Sequence, residues 1–258
     1  FIRLFSKKRI IVNIDGLEWK REKWGKGAKW FLKYSEKLAV KYADEVVTDN
    51  KVIQDYVKSE YDKNSTLIAY GADHVTKETM SDELKNQYSF LTEEYAFKVC
   101  RIEPENNIHV ILEAFESYKT LNLVIIGNWS NSEYGINLKV KYSKISNIHL
   151  IDPIYDQQIL NQIRSNCYIY MHGHSAGGTN PSLVEAMYLG LPIFAYGIEY
   201  NKETTHNKAA YFDTKDELIE LLKNMDEVKL KKIGYNMIKL AKENYTWEKI
   251  SQQYSKLF

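Results

Sequence analysis

The sequence predicts an α/β protein made of two domains, each a parallel sheet covered by helices, with the first domain incomplete. Three observations carry this. Short runs rich in Val, Ile, Leu and Tyr recur along the chain, and each is followed by an amphipathic helical pattern. The rhythm stops over the polar stretch 71–95 and then restarts. The chain opens without Met on Ile10-Ile11-Val12-Asn13-Ile14, a run that reads as a buried strand, which points to a fragment lacking its preceding part.

Taken in order, 10–14 is a strand and Asp15-Gly16 the turn after it. Residues 18–42 read as helix, with Trp30, Phe31, Tyr34, Leu38 and Val40 on the apolar side. A short strand at 45–48 leads to a helix over 52–60, capped by Asp49 or Asn50. Residues 65–70 form another strand. A modest helix is expected over 81–91, inside the boundary region. The second domain then alternates strands at 97–100, 121–126, 148–151, 167–171 and 193–196 with helices at 108–118, 133–144 and 157–166, and one after residue 180. Amphipathic helices at 215–225 and 229–244 and a last helix over 246–258 complete it. The expected units are therefore 1–72, the rest of an acceptor-side domain; 73–245, a donor-binding domain; and 246–258, a helix crossing back.

Hydrophobic content of 44% and charged content of 27% are those of a folded, soluble chain. Net charge is only +1, yet residues 1–42 carry twelve Lys/Arg against four Asp/Glu, a net +8 that leaves −7 for the remainder. Such asymmetry suits a basic surface facing a membrane or an anionic ligand, although a solvated helix face has the same composition. Cys100 and Cys167 sit in apolar, strand-like runs, as buried free thiols of a reducing compartment do. No apolar run has membrane-spanning length and no signal peptide is evident. A cytoplasmic protein, able to sit peripherally on the inner membrane face, is expected.

The most informative stretch reads HGHSAGGTNPSLVEAMYLGLP, from His172 to Pro192. Small, flexible residues at 175–179 run into a helix whose N-cap is Asn180 and whose first position is Pro181. Leu183, Met187 and Leu191 share a stripe, so Glu185, about 200° around from Leu183, points away from the core. A glycine-rich turn entering a helix N-terminus offers N–H groups and the positive end of a dipole to an anion such as a diphosphate. An ordinary strand–loop–helix with an exposed glutamate has the same pattern. In open α/β sheets ligands sit beyond the carboxyl ends of the strands, where this chain places Asp15, Arg101, Gly127-Asn128, Asp152 and the glycine loop. Arginine forks to phosphate oxygens, and acidic and amide groups hold sugars.

Arg101-Ile102-Glu103-Pro104-Glu105-Asn106-Asn107, a strand ending at Ile126-Gly127, and the run from Gly177 to Met187 together resemble glycosyltransferase family 4, retaining enzymes of the GT-B fold with two Rossmann-like domains. The opening Val12-Asn13-Ile14-Asp15-Gly16-Leu17-Glu18-Trp19-Lys20-Arg21 is similar to one subgroup, the bacterial rhamnosyltransferases of capsule and cell-wall polysaccharide synthesis. The resemblance covers essentially the whole chain. It implies transfer of a sugar, rhamnose from dTDP-rhamnose above all, to a saccharide or polyprenyl-diphosphate-linked acceptor, with no cofactor, no metal and no nucleic-acid partner. By the same resemblance Arg101 binds the donor diphosphate and Glu185 the ribose. Gly178, Thr179, Asn180 and Ser182 lie over the diphosphate and sugar, and Trp247 belongs to the returning helix; Asn128, at its strand end, and Gly177 and Asn106, where the chain departs from the family pattern, are counted with the same donor site.

Three departures from the family pattern stand out. Gly177 takes the place of one glutamate, Asn106 that of a lysine, and Asp15 that of a histidine, which makes Asp15 the candidate catalytic residue. His172 and His174 alone are a weak metal signal, since no third ligand stands at suitable spacing. Rival readings are a transferase using another UDP- or GDP-sugar, an epimerase or phosphorylase on the same architecture, and a non-catalytic nucleotide-sugar-binding module.

Overall fold

The computed structural model describes residues 7–258; residues 1–6, which belong to the expected first domain and include Arg3 of the basic start, lie outside the described residues. The first sheet is parallel, in the order β1 (Ile11–Ile14), β2 (Glu45–Thr48), β3 (Thr66–Leu67). Helix α1 (Lys26–Tyr42) and helix α2 (Lys51–Tyr61) cover it. Ile14, Val40, Val46, Ile53 and Val57 form its small core. Asn50 is the cap of α2; its side chain accepts from the Val52 N–H.

Two expectations shorten here. The helix expected over 18–42 is a single 3-10 turn at Glu18–Lys20, a turn, and then α1. Gly25 and Gly27 weaken helix at that point, and Trp19 turns inward to donate to Glu36, which needs the chain to bend between them. The strand expected over 65–70 keeps two paired residues. Ile68 still donates to Thr48, but Ala72 then donates to Tyr245 of the second half, drawing the chain away from the sheet.

The second sheet has six parallel strands: β4 (Tyr95–Val99), β5 (Asn122–Ile126), β6 (Ile148–Ile151), β7 (Ile169–His172), β8 (Ile193–Tyr196) and β9 (Ala210–Phe212). Their spatial order is β6-β5-β4-β7-β8-β9. The chain therefore winds outward from β4 in one direction and from β7 in the other, and the topological switch point lies between these two strands. Helices α3 (Asp82–Gln87), α4 (Ile108–Ser117), α5 (Glu133–Tyr142), α6 (Gln157–Ser165), α7 (Pro181–Tyr188) and α8 (Glu199–Thr204) connect the strands. Helices α9 (Lys215–Asn224), α10 (Glu227–Asn244) and α11 (Trp247–Ser255) follow β9.

Two apolar cores fill the two faces of this sheet. One gathers Phe97, Tyr170, Leu183, Met187 and Met237; the other gathers Ile111, Phe115, Ile125, Met171 and Phe194. All of these are fully buried, and each large side chain contributes about 1.5–3 kcal/mol. The sequence reading missed α8 and β9. The segment Glu199–Thr204 has no apolar stripe, and β9 is a three-residue edge strand. Ile250 of α11 and Leu257, just after it, cluster with Val47 of β2 and Ile68, just past β3.

Candidate active site between the two sheets

The strand ends of both sheets meet at the glycine loop. Gly177 has φ +111, a conformation that only glycine adopts without strain. A Cβ on Gly178 would lie 1.9 Å from Asp49 Oδ1, so only glycine lets the loop pass the end of β2. The loop is pinned to the first sheet. Gly178 N–H donates to Asp15 O at 3.2 Å, and Thr179 Oγ1 donates to Asp49 O at 2.6 Å. Asn50 Nδ2 reaches Thr179 Oγ1 and Thr204 Oγ1. Gly178 and Thr179, predicted to lie over the diphosphate and sugar, stand at this junction. In this conformation the Gly178 N–H and the Thr179 hydroxyl join the two sheets and are not open to a ligand. Thr179 is only 4% exposed, because the end of β2 covers it.

Asp15 and Asp49 face a cavity of about 300 Å³ together with Arg101, Tyr70, Gly177 and Asn180. Asp15 is exposed. Asp49 is buried with no hydrogen-bond partner on either carboxylate oxygen among the described residues. Burial, reinforced by the nearby Asp15, pushes its carboxyl up to about 8, so it holds its proton at neutral pH. Nothing in the local sequence marks Asp49 as more than a helix-capping residue.

A second cavity, of about 380 Å³, opens at the switch point. Its walls include Lys98, Arg101, Asn106, Arg164, His172, His174, Asn180, Ser182 and Glu185. Arg101 is 61% exposed and stands 3.7 Å from Glu103, so its guanidinium is free to fork onto an anion. Asn106 is buried. Its amide donates to Arg101 O, and its Oδ1 accepts from His174 Nδ1 at 3.0 Å. It thus braces the Arg101 backbone and the His174 ring. Asn180 Oδ1 accepts from Ser182 N–H and Ser182 Oγ, capping α7, a cap worth about 1 kcal/mol.

Glu185 stands one turn into α7, away from the core stripe. Arg164 of α6 donates to its Oε2, and His74 Nε2 lies 3.2 Å from its Oε1. The Trp247 indole donates to His74 Nδ1 at 3.1 Å. An indole N–H only donates, so the neutral His74 carries its proton on Nε2 and donates to Glu185. Glu185 is therefore held by two side chains, His74 being braced in turn by Trp247 of α11, and Arg164, 2% exposed, anchors it from within the core. Sequence reasoning missed Arg164 and His74. An arginine amid the polar residues of α6 carries no signal of burial, and the stretch around His74 read as linker.

Asn128, also expected at the site, lines neither cavity. Its Oδ1 accepts from Ser130 N–H and Ser130 Oγ in the turn after β5. That turn stands on the far side of β4 from the glycine loop, as the strand order requires. Among the described residues no group of three or more His, Cys, Asp or Glu side chains is placed to hold a metal ion.

Two parallel α/β units meeting at a cleft of strand ends, with an arginine and a glycine loop at the switch point of the second, define a two-domain α/β architecture whose candidate site lies between the sheets. Residues 80–240 match the glycosyl transferases group 1 family, and the chain belongs to that family. Residues 3–73 match a domain of unknown function (DUF1972). The chain is 25% identical along its whole length to an uncharacterized glycosyltransferase of Methanocaldococcus jannaschii, MJ1069, covering 70% of that protein. Among solved structures it is similar to sucrose-phosphate synthase of Thermosynechococcus elongatus, with TM-score 0.81 and 15% identity over 99% of this chain and 68% of that one. Anabaena HepE, solved in complex with UDP, matches with TM-score 0.79 and 13% identity over 98% of this chain and 73% of that one. TarM matches with TM-score 0.73 and 16% identity, and this chain spans 50% of its length. These neighbours share the GT-B fold that the motifs imply.

Proposed function

We propose that the chain is the donor-binding part of a retaining glycosyltransferase that moves rhamnose from dTDP-rhamnose to a lipid-linked saccharide in surface polysaccharide synthesis. The observation that carries the donor reading is the cavity at the switch point, where Arg101, the capped start of α7 and the braced carboxylate of Glu185 face one space. Arg101 and the α7 terminus take the diphosphate, and Glu185 accepts from the ribose hydroxyls. Leaving-group charge builds on the diphosphate in the transition state, and donors already aimed there stabilise it without reorganising. Attack then comes from the same face as the departing phosphate, with Asp15 orienting sugar or acceptor at the neighbouring cavity. The UDP bound to HepE supports a nucleoside diphosphate as the ligand class. The units of this reading are 1–72, 73–245 and 246–258.

The acceptor reading draws on α1. Trp30 is 69% exposed, Phe31 61% and Tyr34 48%, and the Trp30 and Tyr34 rings stack at 5.6 Å. With Lys26 and Lys29 on the same helix and Lys20 and Lys23 in the segment before it, these rings suit a lipid–water interface carrying a polyprenyl-diphosphate-linked acceptor. Lys33 and Trp19, from the same basic and aromatic stretch of the sequence, turn inward instead. Lys33 sits over the Trp19, Tyr56 and Tyr61 rings and pairs with Glu36 and Glu60, because an ammonium amid rings and carboxylates is better compensated there. No helix among the described residues is long and apolar enough to cross a membrane.

The deciding experiment assays the full-length gene product against dTDP-, UDP- and GDP-sugars. Turnover with dTDP-rhamnose is expected; turnover with none of the panel would reduce the protein to a binding module. In calorimetry on residues 1–258, Arg101→Ala weakens nucleoside diphosphate binding by about 1.5–3 kcal/mol, the scale of a charged hydrogen bond. Because residues 1–258 span 70% of the Methanocaldococcus jannaschii relative, this part is expected to bind nucleotide but not to transfer sugar, since catalysis needs both substrates held in register.

A further inference from the structure

Beneath the diphosphate cavity lies a group of basic side chains that the donor reading does not use. Lys98 points from β4 into the wall of this cavity and is 1% exposed. Among the described residues no carboxylate lies within ion-pair distance of it, which is rare for a buried lysine. His172, at the end of β7, is 2% exposed, and its Nε2 has no hydrogen-bond partner among the described residues. His174 follows two residues later, its ring centroid 6.3 Å from that of His172. Three basic groups thus converge on one wall with no anion between them.

We infer that Lys98, His172 and His174 form a second cationic wall of the donor diphosphate site, whose positive charge rises when the diphosphate arrives. The inference rests on the proposed donor role of this cavity. It supplies from β4 and β7 the positive charge that Asn106, neutral and turned toward the Arg101 carbonyl, does not provide.

The surroundings set the direction of the proton movement. Burial lowers Lys98, opposed only by the nearby Cys100 thiol. Burial also holds His172 well below its usual value, and Lys98 and His174 push the same way. His174 is lowered to about 4 by burial first and then by Lys98, with Arg21 and Arg101 adding to it. Glu185, the acid that lines the same cavity, is already taken by Arg164 and His74. Without ligand the wall therefore carries fewer protons than three free side chains would. A diphosphate brings negative charge into the same space and favours the protonated forms, so binding draws protons from solvent.

The test measures binding of dTDP and UDP to the protein by calorimetry at neutral pH, in two buffers of different ionisation enthalpy. Wild type is expected to take up close to one proton or more per ligand. Lys98→Met removes a buried amine that lacks a counter-ion. It is expected to leave thermal stability equal or higher, to weaken binding at least tenfold, and to reduce the proton uptake. His172→Phe reports the imidazole share by the same two readouts. Arg101→Ala separates the two levels. If no nucleoside diphosphate binds, or binding ignores Arg101, the donor reading itself fails. If binding depends on Arg101 but shows no buffer dependence and is unchanged in Lys98→Met, the cationic wall is refuted while the donor site stands.

Discussion

Replacing Arg164 with leucine tests how Glu185 is held. The guanidinium is 2% exposed and donates to Glu185 Oε2 and to Asn161 Oδ1. Removing one partner of a buried pair typically costs about 3–5 kcal/mol. Two features reduce this. Glu185 keeps 20% exposure and its contact with His74, so its carboxylate is not stranded. Leucine also returns apolar burial worth about 1.5–3 kcal/mol. The Arg164 Nε, already without a partner among the described residues, carries no further loss. A net destabilisation of about 1–2 kcal/mol is expected, a fall in Tm of roughly 2–8 °C for a chain of this size. Nucleoside diphosphate affinity should drop about three- to tenfold, because a carboxylate free to swing orients ribose hydroxyls less well. Thermal unfolding and calorimetry are run on Arg164→Leu, Glu185→Gln and the double variant. A coupling energy of about 1 kcal/mol or more in binding confirms the brace. Additivity within about 0.5 kcal/mol shows that Arg164 is only a core residue, and refutes its positioning role.

Other outcomes follow from the same contacts. Gly178→Ala drives a methyl into the Asp49 carboxylate and should separate the loop from β2; it should lower Tm and, in the full-length enzyme, turnover, and unchanged values of both would show the contact to be slack. Asp49 has a folded-state carboxyl raised to about 8, so between about pH 4 and 8 the folded chain keeps a proton that the unfolded chain releases. Stability from this group is complete below about pH 4 and lost as pH rises through 8, and Asp49→Asn should flatten that decline in a series of unfolding curves. The fourfold change of Lys20, Lys23, Lys26 and Lys29 to Glu should abolish co-sedimentation with anionic liposomes at low salt, each cation being worth about 1 kcal/mol near such lipid. If the unmodified protein never co-sediments at any ionic strength, α1 is a solvated face only.

Much of the second half was legible because its signals are local. Asn180-Pro181 is a start signal that depends on three residues, and the buried stripe of Leu183 and Met187 follows from helical period alone. The strands at β4, β5 and β7 are apolar runs bounded by turn residues, so their type and place along the chain could be read directly. Where the local signal was weak the reading failed. The helix expected from residue 18 breaks because Trp19 prefers a partner 17 positions away, and β9 exists only because β8 offers it an edge.

The sequence by itself determined that the chain alternates strand and helix, that a glycine loop precedes α7, and that Arg101 and Glu185 stand at strand and helix ends. These follow from propensity, period and capping, which act within a few residues. The tertiary structure decided what faces what. It placed Asp49 against Gly178, set Arg164 and His74 on Glu185, turned Asn128 away, and gathered Lys98, His172 and His174 on one wall. Those pairings join residues up to 129 positions apart, as Asp49 and Gly178 are. They follow from strand order and burial, and an ionisable group's character depends on the dielectric and the neighbours that folding brings to it.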